Sequence, residues 1–242
     1  MAPPEPPHVP PIPPPRFFLG VSLGAAFFFA LWSWLVLDGQ ALPKFDLTCA
    51  QFWRDWSDAH LGLWNHMVYL TDLGGVAAMT LLAVMGSIWQ TAIKHRTLAR
   101  AWLVIVIGGG LVNMGCKDVF DRDRPADSLR DRAVLETNKS YPSGHSMGSA
   151  IGYGMLAYAL ILPQRRRPRR LAALLLVMGI VLGIGFSRIY LRAHWFSDVV
   201  GGWTIGIAWL FLCLGWLEHQ RRRSQEARIR DQESGVRSQA AN

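Results

Sequence analysis

The stretch Phe17-Phe-Leu-Gly-Val-Ser-Leu-Gly-Ala-Ala-Phe-Phe-Phe-Ala-Leu-Trp-Ser-Trp-Leu-Val-Leu37 contains no charged side chain. Its length matches the roughly 20 apolar residues that an α-helix needs to cross a bilayer core. It is too long for the core of a signal peptide, and no clear small-residue cleavage site follows, so it reads as an uncleaved first span. Within lipid the backbone has no water to bond, which leaves the helix as the conformation for each such run. Five more apolar runs follow, at residues 67–89, 98–116, 146–162, 171–186 and 199–217. The fourth and fifth are short for a full bilayer, so flanking residues are expected to extend those helices. The expectation is an all-α, polytopic membrane protein with six transmembrane helices over residues 17–217. A proline-dominated, extended tail precedes them at residues 1–16, and a basic tail follows at residues 218–242.

Composition agrees with that layout. Half of the 242 residues are hydrophobic and only 17% are charged, against about a quarter in a soluble domain. The charges are bunched between the apolar runs. A net charge of +8 can mean nucleic acid, but no DNA- or RNA-binding motif is present, and basic clusters between spans set membrane orientation. Cys49, Cys116 and Cys213 form neither a disulfide framework nor a C-x-x-C metal site; inert packing is the default, and a Cys49–Cys116 bond would need both on an oxidising face. Glycines at Gly108 to Gly110, at Gly148 with Gly152, and at Gly179 with Gly183 sit where helices can approach closely.

Lys94, Arg96 and Arg100 follow the second span. Arg165, Arg166, Arg167, Arg169 and Arg170 follow the fourth, and the tail begins Arg221-Arg222-Arg223. In a six-span chain these three groups share one side, which the positive-inside rule makes cytoplasmic, with both termini. The first connection, residues 38–65, has more acids than bases, as suits the opposite face. The third, residues 117–145, is rich in arginine yet falls outside, and that exception asks for a chemical reason.

Three clusters supply it. Lys117 and Arg124 are seven residues apart, two helical turns, and share a face if the helix continues to Pro125; long basic side chains snorkelling to the interface would look the same. Tyr141-Pro142-Ser143-Gly144-His145 precedes the fourth span, with Ser143 placed as an N-cap and His145 in the first turn of a helix whose free N–H groups suit an anion. A capped helix with an incidental histidine is the plainer alternative. The overlapping Gly144-His145-Ser146-Met147-Gly148 fits the G-x-S-x-G pattern of serine hydrolases, but that pattern requires a preceding strand, so the match is read as coincidence. In Ser187-Arg188-Ile-Tyr-Leu-Arg-Ala-His194-Trp-Phe-Ser-Asp198 the histidine and aspartate are four apart, so on a helix the carboxylate can hold one ring nitrogen and leave the other to attack. A merely structural pair has the same spacing.

With six spans, the ends of the third and fifth and the starts of the fourth and sixth face one side. Two histidines, an aspartate and the cations Lys117, Arg124 and Arg188 then converge there. Such a site suits phosphoryl transfer, which depends on positioning and charge stabilisation.

The three clusters closely resemble the signature of the type-2 phosphatidic acid phosphatase family: K-x6-R-P, then P-S-G-H, then S-R-x5-H-x3-D, matched from Lys117 to Asp198. The resemblance implies His194 as nucleophile forming a phosphohistidine, Asp198 as its orienting partner, and His145 as general acid and then base. It implies that Lys117, Arg124, Ser143, Gly144 and Arg188 cradle the phosphate, with no metal or other cofactor required. Vanadium haloperoxidases share the signature but are soluble, and the apolar spans argue against that branch.

The function expected is hydrolysis of a lipid-linked phosphomonoester or pyrophosphate at the outer face of the cell membrane. Phosphatidate, phosphatidylglycerophosphate, undecaprenyl pyrophosphate and lipid A phosphates are all candidates, and no nucleic acid is expected as partner. A lipid phosphotransferase using an alcohol acceptor and a non-enzymatic scaffold or transporter are the alternatives. Asp72, inside the second span, is a functional suspect as an intramembrane acid, and Arg192 and Tyr141 are candidates to line the pocket.

Overall fold

Leu73-Gly74-Gly75 interrupts what the sequence presents as one continuous second span. In the computed structural model, which describes residues 13–125, 139–161 and 166–240, helix α3 (Trp64–Asp72) and helix α4 (Val76–Ala92) meet there at 43°. Two adjacent glycines favour the interruption because they lose the most backbone freedom in a helix. They also let the chain lie against its neighbours: a Cβ at Gly74 would stand 2.5 Å from Ile184 Cγ2 and 3.3 Å from the His145 carbonyl.

The remaining helices are α1 (Pro15–Leu37), α2 (Ala41–Ala59), α5 (Arg96–Phe120), α6 (Gly144–Ile161), α7 (Arg167–Tyr190) and α8 (Phe196–Ala240), with a 3-10 turn at Leu61–Leu63. Among the described residues the regular structure is helical throughout. Outside the described residues lie the proline run to residue 12, residues 126–138 of the third connection, residues 162–165 and the last two residues. The boundary drawn at 217/218 falls inside α8, which continues unbroken to Ala240.

α1, α5, α7 and α8 are long and apolar enough to cross a membrane, and the bent α3–α4 pair makes a fifth candidate. α6 covers the fourth expected span but is not among them. It opens on the polar Gly144-His145-Ser146 and is enclosed by α4, α5, α7 and α8, with Met147, Ile151, Met155 and Ala159 buried. An enclosed helix is not selected for contact with lipid. Outward-facing residues of the other helices are, and Phe27 (73% exposed), Val104 (64%) and Leu176 (66%) form the apolar exterior expected of a membrane protein.

α1 runs antiparallel to α8. Arg222 donates to the Pro13 carbonyl near one end, Ser22 Oγ to Ala208 O (2.8 Å) in the middle, and Trp32 Nε1 to Ser197 O (3.0 Å) at the other. Phe18, Trp102, Ile105, Met147, Ile151, Leu210 and Leu214 knit α1, α5, α6 and α8 into the main core. Of the glycines expected to permit close approach, Gly148 and Gly152 face Met79, Gly183 faces Leu70, and Gly108 and Gly109 lie under Trp209, whereas Gly110 and Gly179 face open space. The three cysteines are free.

The first connection contains a helix of its own. Residues 38–65 contain α2, whose buried side is Asp46, Ala50 and Ser57, with Trp53 packed on Phe186 and Tyr190. A buried face centred on a carboxylate does not register as an apolar stripe, so hydrophobic periodicity gives no helix there.

Candidate active site

His194 stands on a tight connection between α7 and α8. The Arg188 carbonyl accepts the N–H groups of Ala193 (3.0 Å) and His194 (3.3 Å), and Leu191 N–H bonds Ser187 O. Arg192 adopts a left-handed backbone (φ 57°), unfavourable for a residue with a Cβ. It is held by bonds from Nη2 to Ser57 Oγ (3.0 Å) and Asp58 Oδ1 (2.8 Å), and its guanidinium lies over Trp64. The sequence reading placed His194 and Asp198 on one helical face; His194 instead precedes α8. Asp198, in the first turn, reaches back so that Oδ2 accepts both Trp195 N–H (3.0 Å) and the His194 Nδ1 bond (3.2 Å). Carboxylates favour this place because the first-turn N–H groups lack helical partners.

The other ring nitrogen defines the tautomer. Arg124 Nη1 is 3.0 Å from His194 Nε2 and 2.7 Å from Ala193 O. A guanidinium only donates, so Nε2 must present its lone pair and Nδ1 must carry the proton given to Asp198. Burial holds the His194 pKa well below its ordinary value, and the charges of Arg124, Arg188, Lys117 and His145 push in the same direction. These four groups are the ones the spacing of the motifs brought into question, and here they surround one imidazole.

Each cation reaches the site differently from the simplest expectation. Lys117 is buried in the last turn of α5, where its ammonium donates to the Lys139 carbonyl. Arg124 does not share a helical face with it. α5 stops at Phe120, because Asp121 takes a left-handed conformation (φ 44°) and its N–H closes on Lys117 O at 3.1 Å, an αL helix end that aspartate tolerates better than most residues. The chain then turns, secured by Lys139 Nζ on Asp121 (2.9 Å) and Asp123 (3.1 Å). Arg188, 1% exposed, donates from Nη1 to Thr71 Oγ1 on α3 (3.0 Å).

Ser143 is the N-cap of α6, its Oγ accepting Ser146 N–H (3.4 Å) and Ser146 Oγ–H (3.2 Å). The Ser143 hydroxyl keeps a proton of its own to donate. Ser143 N–H bonds the Asp198 carbonyl at 3.0 Å, and Asn113 Nδ2 bonds Pro142 O at 3.3 Å, fixing the turn between α5 and α8. Gly144 lies against Asn113, and His145 Nε2 is 3.7 Å from where a Cβ of Gly75 would stand. Ser146 is fully buried and spent in the cap, and no strand precedes it among the described residues, as the reading of the G-x-S-x-G match required.

All eight residues singled out by the motifs lie at the end of the bundle formed by the close of α5 and α7 and the start of α6 and α8. Three other candidates stand elsewhere. Asp72 is exposed at the end of α3, and its neighbour Thr71 is the one that touches Arg188. Tyr141 is buried on Phe29 and Phe120 with its hydroxyl on Ser33 (2.7 Å), and Arg192 braces the loop. Missed altogether were Arg122, Asp46, Ser197 and Asn113. Arg122 occupies a variable position of the first motif, and Asp46 lies far from any motif.

This is a helical membrane protein whose bundle end gathers a proton-tagged histidine, its carboxylate and a ring of cations. The PAP2 superfamily model matches residues 97–222. A phosphatidylglycerophosphatase B of Bacillus subtilis is 32% identical over 166 residues, covering 66% of this chain and 78% of that protein. An undecaprenyl-diphosphatase of Sulfolobus acidocaldarius is 28% identical over 119 residues, 47% of this chain and 50% of that one. The crystal structure of a transmembrane PAP2-type phosphatidylglycerolphosphate phosphatase from Bacillus subtilis superposes with a TM-score of 0.70 at 25% identity, over 82% of this chain and 96% of that one. The chain belongs to the PAP2 superfamily, and within it the phosphatase relatives make it a phosphoric ester hydrolase of the membrane.

Proposed function

We propose that the protein removes phosphate from a lipid-linked phosphomonoester or pyrophosphate through a phosphohistidine at His194. The observation that carries this reading is the polarity of the imidazole: Nδ1–H is committed to Asp198 while the Nε2 lone pair faces Arg124. A phosphate entering the site draws Arg124, Arg188 and Lys117 onto its oxygens, releasing Nε2 to attack phosphorus in line. The Nε2–P bond forms as the bond from phosphorus to the leaving oxygen breaks, an oxygen of the lipid alcohol in a monoester and of the lipid monophosphate in a pyrophosphate, and His145 gives that oxygen its proton. His145 then takes a proton from water, whose oxygen attacks phosphorus. Phosphate leaves and His194 is regenerated. Asp198 balances the positive charge of the phosphorylated ring, and Ser143 and Gly144 at the start of α6 contribute N–H and O–H donors.

The bilayer layout belongs to the same proposal. The α3–α4 pair and the enclosed α6 count as crossings, making six, with both termini cytoplasmic and the site at the outer interface of the cell membrane. A head group docked there keeps its tails in lipid. The relatives' substrates support a phosphatidylglycerophosphate or prenyl pyrophosphate.

The test is phosphate release from a panel of lipid phosphates by purified wild type and His194→Ala, with chelator and no added metal. Release by the wild type and a loss of at least about 10³-fold in the variant are expected for a covalent nucleophile. Equal activities would overturn the mechanism. Lipid dephosphorylation that requires an added alcohol and yields the alcohol's phosphate ester in place of inorganic phosphate would favour a transferase.

A further inference from the structure

Asp198 spends only one oxygen on the histidine. Oδ2 takes the His194 and Trp195 bonds, and Oδ1 accepts Arg122 Nη1 at 2.7 Å. The other terminal nitrogen of Arg122 donates to Asp46 Oδ2 on α2 at 2.8 Å. Asp46 in turn accepts the Ser197 backbone N–H on Oδ1 (2.9 Å) and the Ser197 hydroxyl on Oδ2, while Arg122 Nη1 also reaches Ser197 Oγ (2.6 Å). Asp46 is 1% exposed and Asp198 fully buried. Trp195 covers the guanidinium, its ring centroid 5.7 Å from Cζ.

A carboxylate removed from water needs a cation and a full set of donors, or its burial costs several kcal/mol. Asp198 receives these from Arg122. The guanidinium fork fits the task, because two separate nitrogens can meet two carboxylates at a fixed angle. Asp46 holds the fork from behind and caps the first turn of α8, the turn that carries Asp198. All of these bonds run through the two carboxylates, separate from the contact of Nε2 with Arg124.

We infer that Arg122 and Asp46 are positioning residues for the phosphoryl transfer: the chain Asp46–Arg122–Asp198–His194 holds the nucleophile's tautomer and aim from a helix outside the motif-bearing segments. This rests on the reading of His194 as nucleophile. A purely structural ion network joining α2, the segment after α5, and α8 would use the same atoms, so the test must separate the two.

Full-length protein in detergent is assayed with short-chain phosphatidate as probe, with folding checked by thermal melting and gel filtration. Arg122→Gln and Asp46→Asn are expected to lower kcat about 10- to 100-fold, as loss of a buried orienting partner does, with KM within about twofold. Arg122→Lys retains more activity than the glutamine variant. In an Asp198→Asn background, Arg122→Gln costs less than about threefold, because the residue acts through Asp198. Asp46→Asn keeps Oδ1 for the Ser197 cap and gives the same reading if Arg122→Gln does not fold. Wild-type kcat in either folded variant, a loss confined to KM, or an undiminished loss in the Asp198→Asn background would overturn the inference. His194→Ala runs in parallel: activity surviving there sinks the nucleophile itself, a different result from failure of the Arg122 arm alone.

Discussion

Arg124 and His194 share a hydrogen bond that ties the readiness of the proposed nucleophile to a cation proposed to bind substrate. Because the folded-state pKa of His194 lies below its ordinary 6.5, the free base persists as pH falls below that value. The acid limb of kcat/KM from this group is therefore expected below pH 6.5, and Arg124→Gln, which removes one of the depressing charges, should move the limb upward. A limb unmoved by that substitution would show that Arg124 does not act on the imidazole electrostatically. The same group makes a contribution to stability that is present above its unfolded pKa and lost as pH falls through the folded one. At this scale the candidate site residues were legible, since His194, Asp198, His145 and the cations are polar interruptions at span ends. Arg122 was not, because the first motif leaves its position open and the residue gains meaning only from the carboxylates it joins.

The elements hold the site through close approaches that spacing does not reveal. A Cβ on Gly202 would stand 2.6 Å from the Ser143 carbonyl and 2.9 Å from Ser146 Cβ, and one on Gly201 would meet the Tyr141 ring at 2.6 Å. The Ser143–His145 turn can therefore rest on α8 only because these positions lack side chains. Gly202→Ala should destabilise the protein by about 1–3 kcal/mol, as overpacking does, and cost activity by displacing Ser143 and Gly144. Thermal unfolding and kcat measure the two effects, and a variant with wild-type values in both would refute the packing argument. α2 and the α3–α4 break escaped sequence reading for related reasons. The buried face of α2 is centred on Asp46, and a glycine pair within an apolar run is compatible with either a continuous or a broken helix.

Across the whole molecule, the antiparallel α1–α8 pair puts the start of α1 and the later part of α8 at one end and the proposed phosphate-binding residues at the other. The proposed orientation is testable in intact cells on a cysteine-free background. Asp123→Cys, at a position whose side chain is 92% exposed, should react with a membrane-impermeant thiol reagent added outside. Arg223→Cys, beyond the opposite end, should react only after the membrane is opened. The reverse pattern would place the site in the cytoplasm.

Hydrophobic run length and the spacing of polar residues determined, from the sequence by itself, that this chain is a helical membrane protein with a cluster of polar motifs at span ends, since both are local properties written along the chain. Which helix is enclosed by the others, where α5 stops, and that a carboxylate of α2 joins Asp198 through Arg122 were decided only by the tertiary structure. Those outcomes depend on which distant surfaces meet. Asp46 and Arg122 are 76 residues apart and Arg122 and Asp198 likewise, and no periodicity within one segment encodes such a meeting.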